Sequence, residues 1–127
     1  GGYLYLHEAL QDKEGKSYKL VGHVPGECIP QERLQQFGYV ELRAVNEGLF
    51  LQGEDVLRAH FYHRWQVPDP GSDLEALRPI SGRQNLALHQ KESFFGGMAY
   101  LYLPSEPRFA QNFYDRCKAW RMTWVED

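Results

Sequence analysis

The hydrophobic positions change period along the chain, from helical spacing at both ends to alternation in the middle. Tyr3, Leu6 and Leu10 share one face, widened by Leu4 and Ala9, which predicts a helix over 2–11. Gln11 to Lys16, with Gly15, reads as a turn, and SYKLVGHV (17–24) as a strand that Val24-Pro25-Gly26 ends. YVELRAV (39–45) alternates apolar with polar and predicts a half-exposed strand. Asn46-Glu47-Gly48 suits a hairpin turn into Leu49-Phe50-Leu51, and Gln52-Gly53-Glu54 a second turn into the strand VLRAHFYHRW (56–65). Gln66 to Gly82, with three prolines and two glycines, reads as a long loop. NLALHQ (85–90) is a short strand, and Gly96-Gly97 a turn. MAYLYL (98–103) reads as a strand buried on both faces. Ser105 is placed to cap a last helix, with Phe109, Phe113, Cys117 and Trp120 as its core stripe. The tail RMTWVED reads as a fraying end.

Composition narrows the function classes. The chain has 127 residues, 43% of them hydrophobic, with seven Phe, eight Tyr and three Trp. That is a globular composition, and the length suits a single domain over 1–127. A formal net charge of −3 argues against a general nucleic-acid binder. No apolar run is long enough to span a bilayer, and no signal peptide is evident. A cytoplasmic protein is the expectation. Cys28 and Cys117 fit no CxxC pattern and read as reduced structural thiols.

Helices at the ends with strands between them suit an α/β protein. A complete doubly wound domain would begin on a strand. This chain begins Gly1-Gly2 and then a helix, as though just past a strand and its sharp turn. A strand, a tight glycine turn and a helix is also the geometry that presents a nucleophile.

Gly1-Gly2-Tyr3-Leu4-Tyr5-Leu6 resembles the stretch after the nucleophilic cysteine in class I glutamine amidotransferase domains of the cobyrinic acid a,c-diamide synthase family. Four further stretches fall in the family's order. Leu20-Val21-Gly22 with Val24-Pro25-Gly26 resembles its VG-x-x-PG segment, and Gly38-Tyr39-Val40-Glu41 a strand start. GEDVLRAHFYHR (53–64) resembles the segment containing Gly-His-Glu-Phe-His-Tyr. There Ala59 falls on the glycine, His60 on the first histidine, Phe61 on the glutamate, Tyr62 on the phenylalanine and His63 on the second histidine. Finally, MAYLYLPSEPRFAQNF resembles the closing Ala-Ser-Tyr-Leu-His-Leu-His-Phe strand and its helix, with Tyr102 at the catalytic histidine and Pro104 at the second.

The resemblance implies the back half of a flavodoxin-like amidotransferase domain, a mixed β-sheet flanked by helices. It implies a cysteine directly before Gly1 and an oxyanion donor at the Gly1 amide. It also implies an upstream synthetase domain using ATP and magnesium, with no cofactor in this chain. Glutamine and a tetrapyrrole carboxylate would be the substrates. Nucleic acid and membrane are not expected partners. Glutamine hydrolysis needs a thiolate, a base and amides for the oxyanion. Tyr102 has a phenol whose usual pKa, about 10, makes it a poor base. The expectations for the site are therefore Gly1, Tyr102 and, as substitute bases, His60, His63 or His89.

Two function classes follow. One is part of a working amidotransferase; the other keeps its fold but has lost catalysis and serves as a structural, interaction or binding module. A small α/β protein outside the family is a third reading. His60 and His63, three apart on a strand, should face opposite ways and make a poor metal pair. His7 and His23 read as solvent-side, Glu8 and Glu41 as solvated, and Cys28 as an exposed loop thiol without a histidine. An uncovered sheet edge and apolar face would call for a longer polypeptide or an oligomer.

Overall fold

A computed structural model describes residues 1–125. Its first element is a short helix, α1 (Gly2–Tyr5), followed by strands β1 (His7–Gln11), β2 (Ser17–Lys19) and β3 (Val24–Pro30). The middle of the chain holds β4 (Gln36–Ala44), β5 (Leu57–His63), β6 (Trp65–Gln66) and β7 (Leu74–Leu77). Then come β8 (Gln84–Ala87), β9 (His89–Gln90), β10 (Phe95–Gly96) and β11 (Tyr100–Leu101). A 3-10 turn (Leu103–Ser105) leads into α2 (Pro107–Val125). The fold is mixed α/β with multi-strand sheets and few helices, consistent with part of a flavodoxin-like domain.

One sheet runs β2-β1-β3-β6, with β1 parallel to β3; a second runs β11-β5-β4-β7-β8 and is antiparallel throughout. A small β9–β10 ribbon lies beside them. The long β4–β5 ladder pairs Gln36 with His63 through Leu42 with Leu57. Its alternation puts Val40, Leu42, Leu57, Ala59 and Phe61 in the core, with Phe109 of α2 joining the same cluster.

Several expectations change. The helix expected over 2–11 stops at Tyr5, because His7–Gln11 finds strand partners on both sides. Tertiary pairing overrides a weak local preference there. Val24-Pro25-Gly26 opens a strand instead of ending one, with a bulge between the pairs His7/Val24 and Ala9/Glu27. Gly26 adopts φ +106, and a Cβ there would lie 2.6 Å from Pro68.

Leu49-Phe50-Leu51 forms no strand, yet Phe50 and Leu51 are buried. The Gln90 side chain substitutes for a neighbouring strand: its Oε1 accepts from Leu51 N (2.5 Å), and its Nε2 donates to Leu51 O (2.9 Å). The expected loop 66–82 contains β7, whose Leu74 and Ala76 are core. NLALHQ is split into β8 and β9 at Leu88, which has φ +57. MAYLYL is paired only at Tyr100–Leu101 on the sheet edge, so Tyr100 and Tyr102 are exposed.

Ser105 does not cap α2. Its Oγ accepts from Arg58 N (2.9 Å) and donates to Tyr102 O (2.7 Å). Glu106 takes the capping place, its carboxylate accepting from Arg108 N (3.3 Å). Of the expected α2 stripe only Phe109 is buried; Phe113, Cys117 and Trp120 are exposed. The tail expected to fray is helical through Val125, while Glu126 and Asp127 lie outside the described residues.

Candidate functional site

The N-terminal glycine turn and the stretch from Phe95 to Leu101 meet at one cleft. Gly1, Gly2, Tyr3 and Leu6 form one wall and Phe95 to Leu101 another, with His63 and Leu88 completing a space of about 470 Å³. The Gly1-Gly2 turn thus faces the stretch just before and within β11. His63 reaches the cleft because β5 alternates: residues 57, 59, 61 and 63 lie on the covered side. His60 falls on the other face, as the strand spacing predicts, its ring tilted against that of Tyr39 with centroids 4.7 Å apart. Tyr102 is 60% exposed and is not among the residues lining the cleft.

The hydrogen bonds of His63 fix its tautomer. The Trp65 N–H donates to Nδ1 (3.2 Å), so Nε2 carries the proton and donates to Gln36 Oε1 (2.8 Å). Burial pushes its pKa below the usual histidine range, favouring the neutral ring. Both nitrogens are engaged, so accepting a proton would require breaking the bond to Trp65.

Tyr3 ties the glycine turn to distant segments. Its phenol donates to the backbone carbonyl of Asp69, so His89 Nε2–H donates to the phenol oxygen (2.7 Å). The Asp69 carboxylate is 3.8 Å from the same ring nitrogen. Burial, then the nearby Asp69 charge, pushes the Tyr3 phenol well above its ordinary range, so it stays protonated. The polar role of Tyr3 leaves no trace in the local sequence, because its partners lie 66 and 86 residues away.

His7 is fully buried, not solvent-side; its Nδ1–H donates to the Tyr3 carbonyl (2.8 Å), and Nε2 has no partner among the described residues. His23 is exposed, as expected, against the Phe94 ring. Cys28 lies on β3, completely buried, and burial with the Glu27 charge pushes its thiol up to about 11. An inert structural thiol results. Glu8 is exposed and accepts from Gly26 N (2.7 Å), while Glu41 is half-buried on β4. Among the described residues, no group of three or more His, Cys, Asp or Glu is placed to hold a metal ion.

Known proteins are similar in sequence over most of this chain. A cobyrinate a,c-diamide synthase of Dehalococcoides mccartyi is 25% identical over 118 residues, 89% of this chain and 26% of the relative. Another from Priestia megaterium is 20% identical over 124 residues, 94% of the chain and 26% of the relative. The chain is similar to cobyrinate a,c-diamide synthases over most of its length, at low identity. A hydrogenobyrinate a,c-diamide synthase of Agrobacterium fabrum is 33% identical over 73 residues, 58% of the chain and 17% of the relative. No protein-family model matches the chain. It spans about a quarter of the length of the curated relatives it matches most fully. No described helix is long and apolar enough to cross a membrane.

Proposed function

We propose that this chain forms part of the glutamine amidotransferase domain of a cobyrinate a,c-diamide synthase-like amidoligase. The observation that carries the reading is the cleft. The Gly1-Gly2 turn and the segment leading through β11, nearly a hundred residues apart, form its facing walls. In the resemblance, these are the segments of the nucleophile turn and the catalytic strand.

The reading requires a cysteine thiolate beside Gly1. That thiolate attacks the carboxamide carbon of glutamine, and the Gly1 amide supports the oxyanion. Ammonia leaves after gaining a proton, and water releases glutamate from the thioester. The ammonia would amidate a tetrapyrrole carboxylate activated with ATP and magnesium by a synthetase domain outside this chain. His63 is the histidine in the cleft and His89 the one bound to Tyr3. His60, on the opposite sheet face, is the least favourably placed of the three substitute bases.

A second reading has its own observation. Tyr102 stands at the family histidine and is exposed, and both nitrogens of His63 are occupied. This favours an amidotransferase fold retained for binding or structure.

Ammonia release from glutamine by the polypeptide carrying this chain separates the two, with ATP, magnesium and cobyrinate present. Release that disappears when a cysteine next to Gly1 is replaced supports the amidotransferase. No release from wild type, with release restored by Tyr102→His, supports the retired site. Efficient wild-type release would defeat the second reading.

A further inference from the structure

One residue outside the cleft lining joins its two walls. His89 pairs through its backbone with Gly96, which belongs to the second wall. Its side chain donates from Nε2 to the phenol of Tyr3, in the first wall (2.7 Å). The phenol in turn donates to the Asp69 carbonyl. Tyr3 is buried, and so is most of the His89 side chain.

Both anchors of the phenol are themselves fixed. Gly71, at φ +93, runs so close to Leu88 that a Cβ on it would lie 2.2 Å from the Leu88 backbone. The Leu88 N–H donates to the Pro70 carbonyl (2.8 Å), and the Gly71 N–H to Asp69 Oδ1 (3.0 Å). Segments 69–71 and 88–89 therefore form one knot. The second wall rests on the same knot, since a Cβ on Gly97 would lie 2.6 Å from the Leu88 side chain.

The first wall has no comparable packing of its own. Nothing among the described residues lies within 4 Å of where a Cβ on Gly1 or Gly2 would be. The turn is held through Tyr3. The Tyr3 carbonyl accepts from His7 Nδ1–H (2.8 Å), and the Tyr5 N–H donates to the Gly1 carbonyl (3.1 Å).

We infer that His89 is a positioning residue: acting through Tyr3, it fixes the Gly1-Gly2 turn at a set distance from the wall at 95–101. The inference rests on the function proposed above and gives one of its candidate histidines a role. An oxyanion donor works only at hydrogen-bonding distance from the developing charge, so the place of the Gly1 amide decides its value. The strut uses the Nε2 proton of His89 as a donor to the phenol. A base would need a lone pair aimed into the cleft, and His89 is not among the residues lining it.

The test is steady-state glutamine hydrolysis by the polypeptide carrying this chain, with ATP, magnesium and cobyrinate present. Wild type is compared with Tyr3→Phe, His89→Leu and His89→Gln. Glutamine keeps an N–H at a similar reach and is no base. Tyr3→Phe and His89→Leu should each lower kcat about tenfold to a hundredfold, with KM within about twofold of wild type, because misplacing the turn costs the transition state and not substrate binding. His89→Gln should restore most of kcat. Equal loss of kcat in His89→Gln and His89→Leu would overturn the inference and assign His89 the proton instead. An unchanged kcat in Tyr3→Phe would also overturn it. Amide exchange supplies a readout apart from activity. The Tyr5 amide should exchange about tenfold faster in Tyr3→Phe and His89→Leu, with the β4 amides as protected as in wild type. Those β4 amides also show that each variant is folded; if His89→Leu unfolds, Tyr3→Phe and His89→Gln carry the test. A wild type that releases no ammonia defeats the function proposed above. The Tyr5 exchange then decides the strut by itself, and exchange unchanged in Tyr3→Phe overturns it.

Discussion

Asp73 precedes β7 and is buried where three segments cross. Its carboxylate accepts from Asn46 Nδ2 (3.0 Å), from Gln90 N (2.8 Å) and from Lys91 Nζ (3.0 Å). Replacing it with alanine strands the Gln90 amide, worth about 1–3 kcal/mol, and removes a charged bond from Asn46 of about 1.5–3 kcal/mol. Lys91 is 62% exposed, so solvent screening holds its share to roughly 0.5 kcal/mol. Neighbouring losses are not additive, and the expected total is about 3–4 kcal/mol. Asp73→Asn keeps one acceptor oxygen and should cost about 1–2 kcal/mol. Burial alone would raise the Asp73 pKa, but the bonds from Asn46, Gln90 and Lys91 outweigh it and hold the carboxyl below its usual range. The sign follows: the native carboxylate contributes stability above the unfolded pKa of about 3.9, lost as pH falls through the depressed folded value. Urea unfolding followed by circular dichroism should show the gap between wild type and Asp73→Asn narrowing as pH is lowered from neutral toward 2. A variant within about 0.5 kcal/mol of wild type at neutral pH, or a gap unchanged by acid, would refute the reasoning.

Other substitutions probe separate parts of the fold. Gly71→Ala should unfold the chain or cost at least about 3 kcal/mol, read as a lost or shifted thermal transition. Gly71 has φ +93, and a Cβ would sit 2.2 Å from the Leu88 backbone. Phe109→Ala removes the ring that packs on Phe50 and Phe95 and should cost about 3–5 kcal/mol by urea unfolding. Tyr3→Phe loses the bonds to His89 and Asp69 and should cost about 1–2 kcal/mol, checked by the same denaturation. A thiol reagent should modify Cys117 at once and Cys28 only on unfolding; equal rates would contradict the burial of β3.

The sequence signalled elements where one face meets water. YVELRAV and VLRAHFYHRW alternate because β4 and β5 cover the core on one side only, and the His60–His63 split followed from that period. It misled where tertiary pairing overruled local spacing. Tyr3, Leu6 and Leu10 have helical spacing, yet β1 is held by two neighbours. β7 was hidden by its length, four residues between Gly71 and Pro79. The aromatic stripe of α2 reads as core, but the helix seats only its first turns on the sheet. For the site, the glycine turn and closing strand were legible as segments, as was the candidate His63. Tyr3 with His89, and Asp73 with Asn46, were not, because hydrogen bonds across such separations leave no periodic trace.

The cleft wall has one further consequence. β11 holds to β5 through two residue pairs, whereas β4 holds to β5 from Gln36 to Leu42. Opening free energies are set ladder by ladder, not by the whole domain. Solvent deuterons should therefore reach the amides of residues 100–102 well before those of β4, and a uniform exchange rate would mean that the sheet opens as one unit. β11, part of the cleft wall, is the most weakly clamped member of this sheet, so occupancy of the cleft would register as slower exchange along that edge.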